Sequence, residues 1–224
     1  MHELTEGFVS YCKKILTFED TTYPPYQSLP TCIIDCIYSL YTKYEPTTIP
    51  IVNHFANHYL NGDRYRGGVT ISAFIDKLET EGLDYFRDEV VKNHQILGGV
   101  PKEKICLKIA HYLQCLNIET VEDFKNFKYL ELLEVVLLSV KGFGEAGVNY
   151  LFMLAGDENR CKPDRHVHHS IKDSCGHDVS HEECQIIFSE ATKILKQQYP
   201  YLTVSKLDGL IWQYYKELSK TKKK

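Results

Sequence analysis

The sequence predicts an all-α fold, on three observations. Proline, glycine and capping signals divide the 224 residues into about a dozen segments. Within most segments apolar residues recur at three- and four-residue intervals, the period of a helix. None shows the convincing apolar–polar alternation of a half-buried strand.

Taken in order, Leu4, Phe8, Ile15 and Leu16 mark a first helix, which the Tyr23-Pro24-Pro25 run closes. A second helix is expected over about 31–44 and a third over about 50–60. Asn61-Gly62-Asp63 and Gly67-Gly68 read as a turn-rich connection, after which Thr70 caps a helix reaching about residue 81. Another spans about 83–93, and Pro101, tolerated in a first helical turn, opens one over 101–116. Thr120-Val121-Glu122-Asp123 and Ser180-His181-Glu182-Glu183 have the form of capping boxes and open further helices. The lysine-rich tail over 220–224 reads as a solvated chain end.

Composition narrows the class. An apolar content of 43% with 12% aromatics fills a core, and no run approaches the roughly eighteen apolar residues of a membrane span. The start, Met1-His2-Glu3-Leu4-Thr5-Glu6, lacks the basic and apolar regions of a signal peptide, so a cytoplasmic or nuclear, membrane-free protein is expected. The eight cysteines fall mostly inside apolar-periodic segments, as reduced core thiols do. Thirty acidic against 26 basic residues give a net charge of −4, which excludes a protein that coats nucleic acid and leaves room only for local phosphate contacts.

The informative stretch runs over 132–171. Leu133, Val136, Leu137 and Val140 carry a helical stripe into Lys141-Gly142-Phe143-Gly144, and a second stripe begins at once with Val148, Leu151, Phe152 and Leu154. A Gly-x-Gly turn between helices leaves backbone N–H groups, with the next helix's N-terminus, available to a phosphate. A positive backbone angle is expected at Gly144, where a side chain would also occupy the phosphate's approach. The alternative is a plain helix–helix turn. Further on, Lys162-Pro163-Asp164-Arg165-His166-Val167 opens a new helix with Asp164 at its start, either as a simple N-cap or as a functional carboxylate.

These two segments resemble the helix-hairpin-helix/Gly-Pro-Asp superfamily of base-excision DNA glycosylases. The run from Leu138 through Ser139, Val140, Lys141, Gly142, Phe143, Gly144, Glu145 and Ala146 to Gly147 is similar to that family's Leu-Pro-Gly-Val-Gly hairpin, and Pro163-Asp164-Arg165-His166-Val167 to its aspartate motif. Weaker similarity of apolar spacing covers 30–44, 96–116 and 204–215. The resemblance implies a two-lobed helical fold with a DNA-binding cleft: a central lobe over 26–157, and a second lobe formed by 1–25 with 158–224.

It further implies double-stranded DNA containing a damaged or modified base as partner, a monomer, and no cofactor or metal. Asp164 would be catalytic, stabilising the oxocarbenium-like sugar and orienting water. Lys141, Gly142, Phe143, Gly144, Ala146, Gly147 and His166 would meet DNA, and Tyr41, where the second helix ends, is either the wedge that fills the space of a flipped base or, like Tyr44, a core or rim aromatic. Two departures shape this expectation. The Schiff-base lysine of bifunctional members corresponds to Ala146, so covalent attack on the sugar lacks its amine. The four-cysteine iron–sulfur loop of endonuclease III is also missing, since no cysteine follows Cys184.

A monofunctional glycosylase is therefore the leading expectation, with alkylated purines as the first substrate class. The alternatives are a DNA-binding protein that no longer cleaves, or a glycosylase/lyase using another lysine. The Cys175, His177, His181 and Cys184 spacing matches no standard zinc motif and is read as core cysteines with surface histidines.

Overall fold

The computed structural model describes residues 2–20 and 24–221. Met1, Tyr23 of the expected helix breaker and lysines 222–224 of the expected tail lie outside the described residues. In chain order come α1 (His2–Ile15), α2 (Leu29–Ser39), α3 (Ile49–Tyr59), α4 (Ile71–Glu81) and α5 (Leu83–Tyr85). A β-hairpin of β1 (Ile96–Leu97) and β2 (Val100–Pro101) follows, and then α6 (Lys102–Cys115), α7 (Val121–Asn126), α8 (Leu130–Leu138) and α9 (Glu145–Leu154). The last helices are α10 (Arg165–Cys175), α11 (His181–Leu195) and α12 (Val204–Thr221). Among the described residues the fold is all-α apart from that antiparallel pair, in which Leu97 faces Val100 and Ile96 faces Pro101. Among the described residues no helix is long and apolar enough to cross a membrane.

The capping chemistry read from the sequence is present in atoms. The Thr70 hydroxyl accepts the Ala73 amide at 3.2 Å. Thr120 with Asp123, and Ser180 with Glu183, form reciprocal capping boxes. Each cap satisfies amides that a helix start otherwise leaves without partners.

The chain divides into two compact units, Pro24–Gly156 and Met1–Tyr23 with Asp157–Lys224. In the first, α2 is the central element, buried along its whole length as a helix apolar on all sides must be. It packs against α3, α6 and α9, and its Ile33 and Ile37 share one core with Phe55, Phe74, Ile109 and Leu151. In the second unit α1 packs on α10 and α11, and α12 closes against both of those, over a core of Phe8, Cys12, Ile171, Phe188 and Ile211.

A carboxylate sits at the centre of the first core. Asp35, on α2 and fully buried, accepts the hydroxyls of Tyr26 and Tyr44 on Oδ2, each at 2.7 Å, and that of Tyr150 on Oδ1 at 3.1 Å. Burial first, and then the Asp35 charge, hold all three phenols well above their ordinary range, so they stay protonated and donate.

Two helices differ from expectation. The second ends at Ser39 rather than near 44: Leu40 is extended, Tyr41 turns to φ +58°, and a π-helical segment, Tyr44–Thr48, follows. The reason is competition for its last carbonyls. The hydroxyls of Thr42 and Thr48 donate to the Tyr38 carbonyl at 2.8 and 3.1 Å, and the Lys102 ammonium to that of Leu40 at 2.9 Å, so continuing amides are not needed. The helix expected over 83–93 widens into a π-helical segment, Phe86–Val90, in which the Val91 amide donates to the Phe86 carbonyl five residues back, and stops there.

Candidate functional site

In the first unit, α8 runs into the turn that the sequence singled out. Val140 and Phe143 donate to Leu137 and Val140 carbonyls at 3.1 and 2.9 Å, closing the turn, and Gly142 takes φ +87°. Gly144, expected to need a positive angle, instead has φ −90° and ψ −174°, because it serves as the extended N-cap of α9. Its carbonyl accepts the amides of Gly147 and Val148 at 2.9 and 3.0 Å, and no side chain caps this helix. The left-handed position is Gly142, where an added Cβ would fall 2.7 Å from the Leu97 carbonyl oxygen.

Burial sorts the residues of the turn. Lys141 and Gly144 are exposed, and Gly142 and Ala146 half-buried. Phe143 and Gly147 are buried against each other: a Cβ on Gly147 would lie 2.5 Å from the Phe143 ring and 3.2 Å from Leu40. These two shape the turn from inside. Tyr41, in the same unit and next to Leu40, is 95% exposed.

The sequence did not single out the β-hairpin as part of this surface. A Cβ on Gly99 would lie 3.9 Å from the Lys141 ammonium, so the turn between β1 and β2 lies directly beside the glycine turn. Alternation needs more than two-residue strands to show itself.

In the second unit, Asp164 is the N-cap of α10. Its Oδ1 accepts the His166 amide at 2.8 Å and the Val167 amide at 3.4 Å, leaving Oδ2 outside the cap. His166 is half-buried, and burial, with the charges of Arg165 and His169, outweighs Asp164 and moves its imidazole below the ordinary range. The ring is thus neutral at neutral pH.

Asp208, on α12, is the residue that sequence reasoning missed. Its Oδ1 accepts the Lys162 amide at 3.1 Å, it is buried, and burial and then the charge of Asp164 push its carboxyl up to about 8. A fixed acid cap thus stands near a carboxyl that keeps its proton at pH 7. One turn beyond Asp208, half-buried Trp212 carries the Lys216 ammonium 4.6 Å from its ring centre. Forty-four positions separate Asp164 from Asp208, and the only available signal was their shared approach to the Lys162 segment in three dimensions.

The Cys/His region is less organised. The Cys184 thiol lies 3.7 Å from His168 Nδ1, and burial pushes it up to about 12, away from thiolate chemistry. Among the described residues no group of three or more His, Cys, Asp or Glu side chains is placed to hold a metal ion.

Comparison with known families gives one match: the model of a domain of unknown function, DUF8548, covers residues 6–216. No curated protein and no solved structure matches the chain.

Proposed function

The chain belongs to the DUF8548 family, and we propose that it is a monofunctional DNA glycosylase that hydrolyses the bond between deoxyribose and a flipped-out damaged or modified base. The observation that carries this reading is Asp164, whose carboxylate is fixed by two backbone amides through one oxygen while Asp208 nearby holds a proton. Cleavage of a glycosidic bond builds positive charge on the sugar, which a preoriented carboxylate stabilises while it aligns water. With Asp208 neutral, the negative charge is concentrated on the cap residue. Trp212 offers a face on which a base can stack.

In this reading α8, the glycine turn and α9 form a helix-hairpin-helix motif. The uncapped start of α9, exposed Gly144 and Lys141 grip a phosphate of double-stranded DNA. Ala146 stands where a bifunctional enzyme carries its amine, so cleavage ends at an abasic site.

The same cap bonds favour a second reading, a DNA-binding protein in which Asp164 only starts a helix. Incubation with a panel of damaged duplexes, scored for free base and then for alkali-labile sites, separates the readings. Base release with strand breaks only after alkali supports the glycosylase. Binding without release supports the second reading, and breaks without alkali reveal a lyase using another lysine.

A further inference from the structure

Tyr41 is an exposed aromatic in a backbone region that L-residues with bulky side chains avoid. Such a conformation persists only where its surroundings over-determine it. Here the surroundings are a buried cation. Lys102, 1% exposed at the first position of α6, sends its ammonium to the C-terminal end of α2, where the backbone dipoles are negative. It donates to the Leu40 carbonyl at 2.9 Å and to the Tyr38 carbonyl at 3.4 Å. The third acceptor is Gln95 Oε1 at 2.9 Å, on the segment leading into the β-hairpin.

The Leu40 carbonyl belongs to the peptide that joins Leu40 to Tyr41. A lysine held at that oxygen fixes the peptide plane and with it the direction in which Tyr41 leaves the surface. We propose that Lys102 is a positioning residue that presents Tyr41 for insertion into a DNA duplex, with Gln95 tying that presentation to the hairpin beside the glycine turn. The proposal rests on the glycosylase reading, in which Tyr41 fills the space vacated by the base. Desolvation makes a buried ammonium unfavourable on packing grounds alone, whereas three converging acceptors at the base of one exposed ring give it a task.

The test compares affinity for a duplex containing a tetrahydrofuran abasic analogue with affinity for the same duplex intact. Phosphate contacts cancel in this ratio and filling of the gap does not. A 2-aminopurine beside the analogue reports insertion by its fluorescence. Tyr41→Ala should lower the ratio by ~10-fold, and Lys102→Met by a similar factor. The double variant should be no worse than Tyr41→Ala alone, because Lys102 acts through that ring. Gln95→Leu, which leaves the lysine in place, should shift the ratio in the same direction and also lose its effect in the Tyr41→Ala background. It carries the comparison if thermal unfolding shows that Lys102→Met does not fold.

Additive losses, or an unchanged ratio for the Lys102 and Gln95 variants while Tyr41→Ala lowers it, would overturn the positioning role. A Tyr41→Ala protein with an unchanged ratio and fluorescence would instead remove Tyr41 as the wedge, and the positioning role with it. Absence of base release from every damaged duplex would count against the glycosylase reading while leaving the double-variant comparison interpretable.

Discussion

A Cβ built on Gly98 would lie 2.6 Å from the Cα of Gly142, so the β-hairpin and the turn between α8 and α9 meet backbone to backbone. Only glycine allows that approach, and Gly142 also occupies the left-handed region. Gly142→Ala is expected to cost ~2 kcal/mol or more, through strain and a clash with the Leu97 carbonyl. Gly144→Leu, placed in open space at φ −90°, should cost less than ~1 kcal/mol while weakening DNA binding by blocking a phosphate. Thermal unfolding and a DNA titration on both variants check the contrast. Equal losses of stability would show that the two glycines share one role.

Asp164 combines a cap and a charge, and two substitutions separate them. Asparagine still accepts the His166 amide but carries no charge. Asp164→Asn should therefore retain the melting temperature and DNA affinity while lowering single-turnover base release by at least ~100-fold. Asp164→Ala should in addition lose ~1 kcal/mol of stability as the cap disappears. Base release that survives Asn in a protein destabilised by Ala would reduce Asp164 to a helix cap.

The carboxyl of Asp208 sets a pH dependence of known sign. Its value of about 8 in the folded protein lies above the ordinary 3.8, so between these values the folded state keeps a proton that the unfolded chain has released. The stability carried by that proton is complete below about pH 4 and is lost progressively as pH rises towards 8, with a slope approaching ~1.4 kcal/mol per pH unit. Asp208→Asn mimics the protonated form and removes this slope. Its melting temperature relative to the native protein should rise between about pH 5 and pH 8, followed by calorimetry. A constant difference would mean that Asp208 is ionised throughout.

What the sequence revealed was local in origin. The caps at Thr70, Thr120, Asp164 and Ser180 are bonds between residues two or three positions apart, so spacing alone exposes them. The early end of α2 was hidden, because its carbonyls are taken by Lys102, more than sixty positions away, and the residue that turns is a tyrosine rather than a glycine. Asp208 was hidden for the same reason: its environment is assembled by α12 folding back on the Lys162 segment. The glycine turn was legible as a pattern, yet it is the packing of the folded chain that gives the positive angle to Gly142 and buries Phe143 and Gly147 beneath it.

Ala146 opens a further test. Trapping a covalent complex with borohydride on abasic DNA requires an amine at the sugar, and none stands at Glu145, Ala146 or Gly147. No trapped species is expected on a denaturing gel under conditions that trap a bifunctional enzyme. Efficient trapping would direct attention to Lys141 or Lys162.

The groups seen donating to Asp35 are phenols, each held protonated by burial and by the Asp35 charge. The joint linking the segment before α2, the π-helical segment after it and α9 should therefore keep its donors as pH climbs past the range in which ordinary phenols ionise. Phenolate absorbance followed along an alkaline titration would then show the exposed tyrosines ionising first and these three only as the scaffold opens.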